Sequence, residues 1–212
     1  MKTVILKPSD ENIALCAEAI NGGKTVAFPT ETVYGLGASA YDTKAISEIF
    51  RVKGRPNDNP LIVHVASADA INGLVREVTP LAEKLIARFM PGPVTLVLKK
   101  SKSVPDQVTA GLDTVGVRMP SHPVCVKFLR ACNVPVAAPS ANTSTRPSPT
   151  CAKHVLGDLA GRIPYILNGG HCEVGLESTI VDVSGAVPKL LRAGGISRDE
   201  IAEACGCEVE IA

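Results

Sequence analysis

Lysine and arginine stand two positions apart in KGRPNDNP (53–60), and serine and asparagine stand two apart in PSAN (139–142). Four more polar stretches lie at the ends of predicted strands: PTETVYG (29–35), VRMP (117–120), ESTI (177–180) and LRAG (191–194). In open α/β sheets ligands settle where such loops converge. If these converge, Lys53, Arg55, Arg118 and Arg192 meet the hydroxyls of Thr32, Ser140 and Ser178. Guanidinium forks match carboxylate and phosphate oxygens in pairs, and an ammonium supplies a compact charge. The chemistry this inventory suits is the gathering of small molecules that carry carboxylate and phosphate groups. Taken singly, each piece has a plainer reading. An arginine at a strand end forms surface ion pairs, and Ser-Ala-Asn after Pro139 makes a turn. His64, inside LIVHV (61–65), suits a core histidine as well as a ligand-binding one. The number of clusters and their shared position favour a site.

The elements that must position these residues interleave as helix and strand, an α/β pattern. Ser9, Asp10 and Glu11 cap a predicted helix whose face is Ile13, Cys16, Ala17 and Ile20, stopped by Gly22 and Gly23. A strand follows over 24–28. Thr43 opens a helix carrying Ile46, Ile49 and Phe50 into Lys53. The apolar run 61–65 predicts a strand covered on both faces. Thr79 and Pro80 start a helix through Phe89, with proline where a missing N–H costs little. Strands are predicted over 94–98, 115–118, 134–138, 163–167, 179–183 and 189–192, and a helix over 123–132. Thr150 is expected to cap a short helix, and Ser197 with Glu200 forms a capping-box signature. Residues 144–150 are the most loop-like segment.

Composition narrows the classes. A length of 212 residues, 45% of them apolar, supports one domain over 1–212. Lysine and arginine total 22 against 21 acidic residues, so strong non-specific binding to a nucleic-acid backbone is not signalled. Aromatics are only 3%, which argues against a base-stacking platform. No apolar run approaches the roughly 18 residues of a membrane helix, and MKTVILKPSDEN does not read as a secretion signal. Seven scattered cysteines without a Cys-x-x-Cys pair read as reduced cytoplasmic thiols. Neither Cys151 with His154 nor Cys205 with Cys207 has a partner set for zinc, so no metal ligands are assigned.

Two motifs mislead. NGGKT (21–25) lacks the phosphate loop's earlier glycine, since position 18 is Glu18, and a strand rather than a helix follows it. GLGASA (35–40) fits a dinucleotide fingerprint, but no helix begins on it. Serine-hydrolase chemistry has no G-x-S-x-G elbow to support it.

FPTETVYGL, KGRP, NPLIVHV, PGPVT, VRMP, PSAN, ESTIVD and LRAG occur in one order from about residue 5 to residue 211. In this the chain resembles the YrdC-like family, the L-threonylcarbamoyladenylate synthases of tRNA modification. The Lys-x-Arg and Ser-x-Asn pairs, Lys53/Arg55 with Ser140/Asn142, are the hallmark that carries the resemblance. It implies a YrdC/RibB-like α/β fold, a single domain in which a twisted mixed β-sheet with flanking helices surrounds a positively lined cleft. It also implies that L-threonine, bicarbonate and ATP are joined into threonylcarbamoyl-AMP with release of pyrophosphate. A separate threonylcarbamoyl-transferase complex then acts on a tRNA adenosine beside the anticodon, so contact with tRNA is indirect. By the same resemblance Thr32, His64, Arg118, Ala138 and Ser178 would hold threonine. Arg55, Asn59, Thr114, Ser140, Ser148 and Arg192 would hold ATP. Lys53 and Asn142 would stand at the reaction centre, with Arg55 and Ser140 as their catalytic partners.

That reaction needs no protein nucleophile. The threonine amine takes up CO2 or bicarbonate, and the carbamate attacks the α-phosphate. The protein brings mutually repelling anions together, so positioning and preorganised charge supply the catalysis. Mg2+ on the phosphates would neutralise the leaving pyrophosphate, with ATP oxygens and water as its main ligands. Longer family members carry a further C-terminal domain over the nucleotide, whereas this sequence ends at Ala212. The expectation is therefore a single-domain form or part of a longer protein. Residues 144–150 are the candidate cover, with Arg146 in reach of phosphate. Three alternatives stay open: an RNA-binding module of the same fold, an enzyme that adenylates a plain carbamoyl group, and a paralogue with another carboxylate substrate.

Overall fold

The computed structural model describes residues 1–54, 56 and 58–212. In chain order the elements are β1 (Val4–Leu6), α1 (Asp10–Asn21), β2 (Val26–Phe28), β3 (Gly35–Ser39), α2 (Thr43–Lys53), β4 (Ile62–His64), α3 (Pro80–Phe89), β5 (Val94–Lys99) and α4 (Asp106–Thr109). There follow β6 (Thr114–Arg118), α5 (Pro123–Cys132), β7 (Val136–Ala138), α6 (Ala152–Leu159), β8 (Tyr165–Leu167), β9 (Thr179–Asp182), β10 (Lys189–Arg192), α7 (Arg198–Cys205) and β11 (Glu210–Ile211). Local chemistry accounts for the helix starts. Ser9 accepts from Asn12 N, Thr79 from Ala82 N ahead of Pro80, and Ser197 with Glu200 closes a capping box. Asp42, directly before Thr43, caps α2 by accepting from Lys44 N and Ala45 N.

Some expectations need correction. The helix expected to be capped by Thr150 starts at Ala152, with Cys151 at its cap and no side-chain cap bond. Strands β1, β3 and β11, helix α4 and a 3-10 turn over Ala68–Gly73 were not anticipated. β3 contains the glycines weighed as a dinucleotide fingerprint. A Cβ on Gly37 would lie 2.5 Å from Val136 Cγ1 and 2.7 Å from Phe28 Cε1, so this glycine permits close strand packing.

Among the described residues the strands form one mixed sheet in the order β1-β8-β2-β3-β7-β4-β6-β5-β9-β10-β11. The registers decide what meets what. His64 pairs with Arg118 across the parallel β4 and β6, Ile62 pairs with Ala138 across the antiparallel β4 and β7, and Gly35 bridges to Ser140. α1 and α5 pack together over a core of Ile13, Cys16, Ile20, Phe28, Phe128 and Leu129. The larger core gathers Ile46, Ile49, Leu61, Val63, Leu85, Leu96 and Val117.

Four neighbouring strands divide by the period of two that a pleated strand imposes. Val63, Val115, Val117, Leu96, Leu98 and Val181 belong to the core. The alternate residues Ile62, His64, Thr114, Gly116, Arg118, Thr95, Val97, Ile180 and Asp182 line a cavity. The run 61–65 is thus covered on one face and open to the cavity on the other. Its apolar reading misled because Ile62, facing the cavity, is as apolar as the core residues beside it.

Candidate functional site

The cavity has a volume of about 470 Å3, with the sheet face as its floor, a size that suits small molecules. Its walls come from the loop after β2 (Thr30, Thr32, Val33), from Asn59 and Pro60, from Pro139 and Ser140 after β7, and from Glu177, Ser178, Leu191 and Arg192. Nine residues singled out from sequence line it: Thr32, Asn59, His64, Thr114, Arg118, Ala138, Ser140, Ser178 and Arg192. Lys53, Asn142 and Ser148 stand behind its described lining, and Arg55 lies outside the described residues.

At one end Arg118 Nη1 donates to Thr32 Oγ1 at 2.9 Å, and Arg118 Nη2 lies 2.7 Å from Glu31 Oε1. Arginine and glutamate are both buried. The Nη2 contact is close enough for an ion pair but is not directed as a hydrogen bond. Both Glu31 oxygens lack a hydrogen-bond donor among the described residues. Thr30 holds the turn, since its hydroxyl donates to Val33 O at 2.6 Å. That proton is then spent, so in the 2.9 Å contact between Thr30 Oγ1 and Thr32 Oγ1 it is Thr32 that donates. Thr32 therefore turns a lone pair to Arg118. Glu31 sits inside a motif quoted from sequence, yet no role attached to it. A carboxylate between two threonines reads as solvated until burial beside an arginine is seen.

His64 packs edge-on against Phe28, with ring centroids 5.7 Å apart, and its Nδ1 lies 3.1 Å from Ile62 O. Because a carbonyl can only accept, that contact makes Nδ1 the protonated nitrogen and leaves Nε2 an acceptor. Burial, with Arg118 beside it, lowers the His64 pKa from 6.5 to about 3, so the ring is neutral.

Along the neighbouring wall β9 and β10 are locked together. Arg192 Nε and Nη2 donate to Ser178 O at 3.0 and 2.9 Å, and Nη2 donates to Ser178 Oγ at 3.1 Å. Ser178 Oγ in turn contacts Thr95 Oγ1 at 2.8 Å. Ser148 donates to Glu177 Oε1 at 2.5 Å, and this bond, more than nearby Arg192, lowers the Glu177 pKa. The backbones approach so closely that a Cβ on Gly194 would lie 2.4 Å from Thr179 N. Only glycine allows LRAG to lie against ESTI.

Lys53 is 2% exposed and faces inward. Its Nζ donates to Ser140 O at 2.5 Å, to Asn142 O at 2.6 Å and to Asn142 Oδ1 at 3.3 Å. Ser140 Oγ also donates to Asn142 Oδ1, at 2.5 Å. The two hallmark pairs therefore meet through Lys53, Ser140 and Asn142, with the ammonium fastening the loop. Among the described residues the lining carries Arg118 and Arg192 together with Asp182 of β9 and Glu177 just before that strand, while Lys53 points into the carbonyls of the 140–142 loop. Burial pushes the thiols of Cys16 and Cys132 up to about 12, and those of Cys172 and Cys205 up to about 11, so these stay protonated at neutral pH.

Known proteins share the sequence and the fold. The family model described as "Telomere recombination" (Sua5_yciO_yrdC) matches residues 18–194. The threonylcarbamoyl-AMP synthase of Pyrococcus abyssi is 52% identical over 92% of this chain, and that of Bacillus subtilis is 46% identical over 95%. The chain spans only 57% and 58% of the lengths of those two relatives. A crystal structure of P. abyssi Sua5 complexed with L-threonine superposes with a TM-score of 0.96 at 48% identity, covering 100% of this chain and 63% of that one.

Proposed function

The chain belongs to the Sua5–YciO–YrdC family, and from that membership we propose that it forms L-threonylcarbamoyl-AMP and pyrophosphate from L-threonine, bicarbonate or CO2, and ATP. The observation that carries this reading is the meeting of nine anticipated residues, drawn from strands and loops far apart in sequence, on one cavity. Arg118 and Thr32 suit the carboxylate end of threonine. Neutral His64, with Nε2 as acceptor, suits its hydroxyl or amine. Ser178 and the Ala138 backbone complete that end. Asn59, Thr114, Ser140, Ser148 and Arg192 suit ATP, and Arg55 belongs to the same group by resemblance. Lys53, Ser140 and Asn142 form the joint between the two ends.

In the proposed reaction the threonine nitrogen bonds to CO2 and loses a proton. A carbamate oxygen attacks the α-phosphorus, and the bond to the bridging oxygen of pyrophosphate breaks. The residues bind and orient two anions, and no covalent enzyme intermediate is required. Magnesium fits as the companion of the triphosphate. No group of three or more His, Cys, Asp or Glu suited to a metal occurs among the described residues, and when bound to ATP the ion would neutralise the leaving pyrophosphate.

The product would pass to a threonylcarbamoyl-transferase complex acting on tRNA, in the cytoplasm where ATP and tRNA occur. No helix among the described residues is long and apolar enough to cross a membrane.

The test is incubation with ATP, threonine and isotope-labelled bicarbonate, followed by mass analysis of nucleotides. A labelled nucleotide containing threonine is expected. Its absence overturns the reading, and pyrophosphate release without threonine would assign the site to a plain carbamoyl substrate.

A further inference from the structure

Asp158 lies in α6, outside the described lining of the cavity. It nonetheless holds the turn that follows Asn142. Asp158 Oδ2 accepts from Thr143 N at 3.1 Å, Oδ1 accepts from Arg146 Nη1 at 2.7 Å, and its carbonyl accepts from Thr143 Oγ1 at 3.3 Å. From the other side Asn142 Nδ2 donates to Arg146 O at 2.6 Å and to Thr143 O at 3.1 Å. Between these anchors Thr145 has φ 75°. A β-branched residue in the left-handed region is strained and persists only where its surroundings over-determine it. Asp158 grips the chain on both sides of that residue.

We infer that Asp158 is a positioning residue, a carboxylate that keeps the 143–146 turn in its strained form and so fixes Asn142 and Ser140 at the nucleotide end of the cavity. This rests on the reading of that end as the ATP site. It also accounts for Arg146. The guanidinium that looked free to reach phosphate is paired with a largely buried carboxylate and serves the turn instead.

The test compares Asp158→Ala, Asp158→Asn, Thr145→Gly and the double variant Asp158→Ala/Thr145→Gly. ATP and threonine binding are measured by calorimetry, and pyrophosphate release gives KM and kcat. Asp158→Ala should weaken ATP at least tenfold while threonine affinity stays within twofold. Asp158→Asn should fall between, because its amide keeps one acceptor and opposes a donor with the other group. Thr145→Gly alone should resemble the parent. The double variant should regain most of the lost ATP affinity, since glycine adopts positive φ without the steric cost. Unchanged ATP affinity in Asp158→Ala, equal loss of both ligands, or no rescue by glycine would each overturn the inference. If the parent protein binds neither ligand, the assignment of the cavity fails instead. Hydrogen exchange at the Ser144 and Arg146 amides then judges Asp158 alone, because their own acceptors, Lys53 O and Thr143 O, survive the substitution. Faster exchange at both upholds the role, and unchanged exchange ends it.

Discussion

Arg118 Nη2 and Glu31 Oε1 stand 2.7 Å apart in the interior, where the arginine is 3% and the glutamate 4% exposed. The arginine still reaches the cavity, whereas the glutamate is not part of its described lining. A buried guanidinium beside the cavity thus carries its own counter-charge. Glu31→Gln should expose the consequence. Breaking one side of a buried ion pair typically costs about 3–5 kcal/mol, because the partner is left uncompensated. Denaturant unfolding should show a loss of that order. Threonine brings a carboxylate that can replace the missing charge, so its stabilising effect on Glu31→Gln should exceed its effect on the parent. An equal or smaller effect would count against Arg118 as the carboxylate receptor.

His64 should stay neutral in the folded protein throughout pH 5–9, visible as pH-independent imidazole resonances. The linked stability follows from its lowered pKa. Above 6.5 neither state binds the proton and there is no contribution. As pH falls from 6.5 toward 3 only the unfolded chain binds it, so the folded state loses stability. Relative to His64→Gln, the parent should lose about 2 kcal/mol between pH 7 and pH 5, measured by urea unfolding at each pH. A flat difference would show that His64 titrates normally.

Lys53→Met keeps the length of the side chain and removes its donors. Ser140 O and Asn142 O then lose the ammonium that reaches them. Each buried carbonyl so deprived costs about 1–3 kcal/mol. Both stability and ATP-dependent pyrophosphate release should fall, and Lys53→Arg should not restore them, since a planar fork cannot converge on three oxygens as an ammonium does. Parent-like unfolding would refute the fastening role.

Gly194→Ala drives a Cβ against Thr179 N at 2.4 Å and Glu177 O at 2.5 Å, atoms of backbone that cannot swing aside. Overpacking of this kind costs about 1–3 kcal/mol, and the displaced β9–β10 pair should weaken ATP binding through Arg192, whose guanidinium is held by Ser178. Gly73→Ala is the control, because nothing lies within 4 Å of the Cβ it would add. Melting temperature and ATP affinity measure both. Equal behaviour of the two variants would remove the close approach as the reason for glycine.

Much of this protein was legible before any coordinates. The helices at 10–21, 80–89 and 123–132 are written in caps, prolines and apolar spacing that act within a few residues, and the structure has them at those positions. The polar strand ends of 29–35, 139–142, 177–180 and 191–194 were equally plain. Other features depend on residues far apart in the chain. Arg118 reaches Thr32 across 86 positions, and Lys53 reaches Ser140 across 87. No local pattern encodes such a meeting, so only the folded chain turns Lys53 inward, sets Glu31 behind Arg118 and ties Asp158 to the Asn142 turn. The short strands β1 and β11 escaped for a related reason. Two or three residues carry too little periodicity to read, and it is pairing with β8 and β10 that makes them strands. Sequence alone therefore determined most of the longer elements and the polar residue types at the strand ends. Tertiary structure decided which face of the sheet is open and which charges are already matched, because sheet order and burial are properties of the whole chain.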